Sequence, residues 1–155
     1  MVMLIKSFLK IIAFIIVMAL AIGSCTGTKQ AVEVTDQEKM AFNQKEGDTI
    51  TIANESLEYD IIIIEPGFNF WLQSVAKPRQ YYSQSFMENR NNIYVREWNA
   101  RVLQPQRFGP NLYELQINYD PQTDYGYEVN YQLYNYFIYF KRKYNQRLGP
   151  FVPRI

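Results

Sequence analysis

From Tyr125 to Asn145 the chain reads as a helix that is apolar or aromatic nearly all round until Phe140. Val129, Leu133, Phe137, Phe140 and Tyr144 form one stripe. Tyr127, Tyr131, Tyr134 and Ile138 form a second. A helix that is hydrophobic on every side has to be surrounded by protein. The segment therefore predicts the central helix of a core, with the rest of the chain wrapped around it. Asp124 and Glu128 lie near its start, and Lys141, Arg142, Lys143 and Arg147 near its end, which suits the helix dipole. Nine of the 13 tyrosines fall between Tyr113 and Tyr144. Tyrosine carries an apolar ring and a polar tip, so it serves half-buried packing positions or a partner-binding surface.

The remaining elements follow from periodicity. Thr49–Ala53 alternates with period two and predicts a strand. After Asn54-Glu55-Ser56, Leu57, Tyr59, Ile61 and Ile63 continue on one face, while Ile62 and Ile64 fill the other. This strand is expected to be covered on both sides. Glu65-Pro66-Gly67 switches the chain to a helix over 68–76, with Pro66 favoured at its first position and Pro78 beyond its end. A second helix is expected from Ser83 or Ser85, where Ser85 and Glu88 have capping-box spacing. Its inward face would be Met87, Tyr94, Trp98 and Val102, and Pro105 would end it. Tyr113, Leu115, Ile117 and Tyr119 alternate with Glu114, Gln116 and Asn118, which predicts a third, half-buried strand. The fold class expected is α+β: a small antiparallel sheet of about three strands packed with about three helices.

The N-terminus constrains location. Lys6 and Lys10 precede an apolar run from Ile11 to Ile22. That run is short of the roughly 20 residues a bilayer span needs and has the length of a signal-peptide core. It ends in Leu20-Ala21-Ile22-Gly23-Ser24-Cys25, a branched apolar residue and small residues before the single cysteine of the chain. This looks like a lipobox. Residues 1–24 are expected to be a lipoprotein signal peptide, and Cys25 the lipidated first residue of the mature chain. Two or more acyl chains anchor stably where one does not. Polar, aperiodic residues 25–47 read as a flexible tether, averaging roughly 25 Å end to end. A single domain is expected over 48–148 and an extended tail over 149–155.

Composition excludes several chemistries. The chain has no histidine, so imidazole acid–base work, histidine triads and histidine metal sites are absent. No phosphate-cradling glycine motif is present. No cofactor or metal site is expected. Asn118, Asp120, Gln122, Asp124 and Glu128 have a spacing reminiscent of a calcium loop, but Pro121 interrupts it and Gly126 is misplaced; a turn with helix-start acids accounts for them better. The mature chain would carry 14 basic and 15 acidic residues, so no global field favours nucleic acid.

Glu65-Pro66-Gly67-Phe68, Lys77-Pro78-Arg79, Tyr81-Tyr82-Ser83-Gln84-Ser85, Glu97-Trp98-Asn99 and Arg101 through Arg107 form one set of distinctive strings. Gln116 through Pro121, Asp124 through Tyr131, and Tyr134 through Phe137 continue it. Together they resemble a family of small lipoproteins of unknown function from the Bacteroidota, over most of residues 57–148. The resemblance implies an envelope location and no catalytic residues. In that lineage an acidic run directly after the cysteine accompanies surface display. Here Thr26-Gly27-Thr28-Lys29-Gln30 follows and the first acid is Glu33, which favours an outer-membrane anchor facing the periplasm.

Residues 77–107 concentrate Lys77, Arg79, Tyr81, Trp98, Arg101, Gln104 and Arg107, with Tyr82, Arg90, Glu97, Asn99 and Gln106. Guanidiniums, amides and aromatic faces suit sugars, carboxylated peptides or anionic headgroups. The competing reading is structural: Glu97 and Arg101 as an i,i+4 pair, and Trp98 in the core. The function expected is that of a lipid-anchored envelope module, binding an envelope protein or peptidoglycan through this surface, or serving a purely structural role. The alternative is a cell-wall glycan hydrolase using Glu97 with Asp120 or Glu114, which requires two carboxylates about 5–10 Å apart across a cleft.

Overall fold

A computed structural model describes residues 33–45, 47, 49–54, 59–152 and 155. The expected signal peptide, Cys25 and residues 26–32 lie outside the described residues. Among the described residues the architecture is α+β: five helices and one two-stranded antiparallel sheet. In chain order these are α1 (Asp36–Phe42), β1 (Thr49–Asn54), β2 (Tyr59–Ile64), α2 (Phe68–Ser74), α3 (Gln84–Val102), α4 (Pro105–Phe108) and α5 (Gly126–Lys143).

Helix α5 is the centre of the core, as its all-round apolar pattern requires. Thirteen of its residues are buried, Val129 to Tyr131 and Leu133 to Arg142, and between Val129 and Arg142 only Gln132 is not. Helix α3 packs along it with Met87, Asn91, Tyr94, Val95, Trp98 and Arg101 inward. The contacts advance together along both helices, Asn91 with Asn130, Tyr94 with Phe137 and Trp98 with Phe140, and Arg101 meets Gln146 just beyond the end of α5. The two helices therefore run parallel. Ser83, rather than Ser85, caps α3, accepting from the Phe86 N–H at 3.2 Å.

Parallel helices need a connection that travels back along their length, and residues 103–125 make it. After α4, the chain passes Arg101 at Tyr113, Trp98 at Leu115 and Asn130 at Tyr119. This is the stretch expected to be a third strand, and it is not one. Among the described residues no strand pairs with it, and α3 side chains take the place of a partner strand. Trp98 Nε1 donates to the Leu115 carbonyl at 2.9 Å. The Asn99 amide acts as a peptide unit: Nδ2 donates to the Ile117 carbonyl at 2.9 Å and Oδ1 accepts from its N–H at 2.8 Å. The alternation is obeyed at Tyr113 and Ile117, which are buried, and broken at Leu115, which is 78% exposed.

The hairpin pairs Thr49 with Ile64 through Asn54 with Tyr59. Ile52 and Ile63 point into the core. The expectation that β2 is covered on both faces fails, since Ile62 is 60% and Ile64 70% exposed. With only two strands and helices on one side, nothing among the described residues layers the outer face.

The expected tether over 25–47 also needs correction. Residues 36–42 form α1, whose Thr35 and Glu38 make a reciprocal capping box. Glu38 is fully buried. Its carboxylate accepts from both Nε and Nη2 of buried Arg142 and from Trp71 Nε1 at 3.4 Å. Burial pushes this carboxyl up, but Arg142, the Thr35 N–H and Trp71 together hold it below the ordinary carboxylate range. Helix α1 also lies against Gly67 at the head of α2. A Cβ there would stand 1.9 Å from the Ala41 carbonyl oxygen, and φ is +81°. Only glycine meets both demands. Gly67 is the N-cap, and α2 begins at Phe68 as its spacing predicts. The compact unit runs from Glu33, not from residue 48. The tail is docked as well: Leu148 is buried, and Lys141 Nζ donates to the Phe151 carbonyl at 2.8 Å.

Candidate functional site

The basic, aromatic cluster expected over 77–107 divides between the two ends of α3. Gln84 and Arg101 are separated by about 25 Å of helix at 1.5 Å per residue. Trp98 is core. Arg101, also buried, ties α3 to the segments beyond it: Nε and Nη2 donate to Glu97 Oε1 at 3.0 and 2.8 Å, Nη1 to the Tyr113 hydroxyl at 2.7 Å, and Nη2 to the Arg147 carbonyl. Gln104 turns back on the Ala100 carbonyl, and Arg107 lies over the Phe108 ring. These four residues hold or flank the α3–α4 corner.

The three weak catalytic candidates have separate surroundings. Glu97 is taken up by Arg101. Asp120 Oδ1 accepts from the Gln122 N–H at 2.9 Å and so closes its own turn. Glu114 is exposed. Asp124 likewise accepts from the Gly126 N–H at 2.9 Å at the start of α5. Among the described residues no three His, Cys, Asp or Glu gather as a metal site would require.

The other end of α3 is different. Lys77 lies with its Nζ 5.5 Å from the Tyr81 ring, which is exposed. Arg79 forms a two-pronged pair with Glu128, Nε to Oε2 at 2.8 Å and Nη2 to Oε1 at 2.6 Å. Its guanidinium also sits 4.7 Å from the Tyr131 ring centre. The pair raises Arg79 and lowers Glu128 relative to their ordinary values, chiefly through the hydrogen bonds between them. Both side chains stay about half exposed, so the pair orients more than it stabilises.

Arg79 forms one wall of a groove of about 710 Å³. Thr49, Ile50 and Thr51 of β1 form another. Asn69, Leu72 and Gln73 of α2, Ala76 and Pro78 after it, and Tyr131 and Gln132 of α5 complete it. Gln73 Nε2 donates to Asn69 Oδ1 and Gln132 Nε2 to Glu128 Oε1, each at 2.9 Å. The Tyr131 hydroxyl donates to the Lys77 carbonyl at 2.8 Å and fixes the loop that carries Arg79. Of the sequence candidates only Arg79 lines the groove. The rest come from segments that periodicity assigned to framework, and no motif marks them.

Among the described residues no helix is long and apolar enough to cross a membrane. No curated protein and no solved structure matches the chain. Residues 12–152 match a family of unknown function, DUF6146. That span covers most of the 155 residues, including every element from α1 to α5. The chain belongs to the DUF6146 family.

Proposed function

We propose that this protein is a lipid-anchored binding module of the bacterial cell envelope, held in the outer membrane through Cys25 and facing the periplasm. The observation that carries the reading is Leu20-Ala21-Ile22-Gly23-Ser24-Cys25 after a basic start and a short apolar run, at the only cysteine of the chain. The groove between β1, α2 and α5 is the contact surface for an envelope protein or a cell-wall component. Its polar, concave lining supports that assignment, and its volume lies within the roughly 300–1,000 Å³ of ordinary ligand sites. A binding role is favoured over hydrolysis because Glu97 is engaged by Arg101 and Asp120 by its own turn.

The anchor is tested in cells fed an alkyne fatty acid, with the tagged protein purified and its mass measured. Wild-type protein should carry the label and lack residues 1–24. Cys25→Ser should carry no label and retain the leader. An unlabelled wild-type chain with Met1 still in place would end the reading.

A further inference from the structure

We infer that the groove receives an extended polypeptide segment, which adds to β1 as a third strand. This names the ligand class of the binding module proposed above and does not depend on the anchor. Successive side chains of a strand point to opposite faces. Thr49, Ile50 and Thr51 are consecutive, yet all three line the same groove. Consecutive residues on one groove fit a strand that turns an edge toward it. One edge of β1 is paired with β2, and no β2 residue lines the groove. The edge facing the groove is therefore the other one. Among the described residues the sheet has two strands and that edge carries no ladder.

Such an edge presents backbone donors and acceptors that repeat every second residue, about 6.8 Å along the strand. An extended peptide has the same repeat and a glycan does not. The side chains opposite β1 fit the same ligand. Asn69 keeps its Nδ2 donor, and Gln73 and Gln132 keep their Oε1 acceptors, since each amide uses only its other end within the protein. Sugar recognition would call for an open aromatic face. The Tyr131 ring is covered by the Arg79 guanidinium at 4.7 Å and stacks with Tyr127 at 6.1 Å.

The test uses the full chain purified in detergent. Random dodecapeptides displayed on phage are selected on it, and the best is synthesised for fluorescence anisotropy. Methylation of each backbone nitrogen in turn should weaken binding about tenfold at alternate positions, one lost hydrogen bond each, and much less between them. Gln73→Trp, on the exposed face of α2, should block the groove and abolish binding without changing the melting curve. Ala76→Trp serves as the second blocking variant. Cys25→Ser should bind the peptide like the wild type, so failure of the anchor and failure of this inference are separate results. The inference is overturned if no peptide is recovered, if methylation shows no alternation, if both tryptophan variants bind normally, or if an N-acetylglucosamine oligomer binds and displaces the peptide.

Discussion

Lys141 should be a liability that its removal relieves. It is 2% exposed on the last turn of α5. Its Nζ donates to the Phe151 carbonyl and lies 4.3 Å from the Tyr94 ring centre. Among the described residues no carboxylate pairs with it, and the charges that act on it, Arg90 and Arg147, have its own sign. Burial first, then those two guanidiniums, lower its pKa from the ordinary 10.5 to about 7. The unfolded chain therefore holds this proton more tightly than the folded one. Stability must rise with pH between about 7 and 10.5, and the full penalty is present below that window. At 1.36 kcal/mol per pH unit the penalty is on the order of 5 kcal/mol. Relaxation and water entering beside the tail reduce the expected gain on substitution to about 2–4 kcal/mol. Lys141→Met keeps most of the volume and loses one hydrogen bond to a half-buried carbonyl, about 1 kcal/mol. The variant should be more stable than the wild type at pH 6, and the difference should shrink to less than about 1 kcal/mol at pH 10. Urea unfolding of the full chain, followed by fluorescence of the buried Trp71 and Trp98, reads this directly. A variant that is less stable at pH 6, or a difference that does not change with pH, would refute the reasoning.

Three further outcomes follow from the packing. Glu38→Gln leaves the Arg142 charge buried without its counter-charge and should cost about 3–5 kcal/mol in the same urea assay. In the wild type the stabilisation from Glu38 should be complete above its ordinary 4.5 and fade as pH falls through its lower folded value, so the stability gap between wild type and Glu38→Gln should narrow below pH 4.5. Gly67→Ala forces a Cβ against the Ala41 carbonyl and should detach α1, which limited trypsin digestion would report as new cleavage after Lys39 and Lys45. Asn99→Ala removes both bonds to Ile117 and should cost about 1–3 kcal/mol, with faster hydrogen exchange at the Ile117 amide and little change at Trp71.

What the sequence determined by itself was local or periodic. The central place of α5 followed from apolar residues on every side, because such a helix has no face to offer to water. The β1–β2 hairpin, α2 and α3 followed from alternation, from helical spacing and from Pro78 and Pro105 as punctuation. Helix α1 was within reach of the same reasoning, since Thr35 and Glu38 have capping-box spacing, but its polar composition masked it. It is tied to the core by a long-range pair, Glu38 with Arg142, that no local pattern announces.

Only the tertiary structure decided the rest. Alternation in Tyr113–Tyr119 reports burial on one side and not the identity of the neighbour, so a segment bonded to α3 side chains carries the signal of a strand. The basic cluster was continuous in sequence because α3 is continuous, but a helix of 19 residues carries its two ends far apart. Arg101 went to a structural corner and Arg79 to the groove. That groove joins β1, α2 and α5, segments distant along the chain. Its existence depends on how β1 and α2 pack around α5, a property of their arrangement that no single stretch of residues encodes.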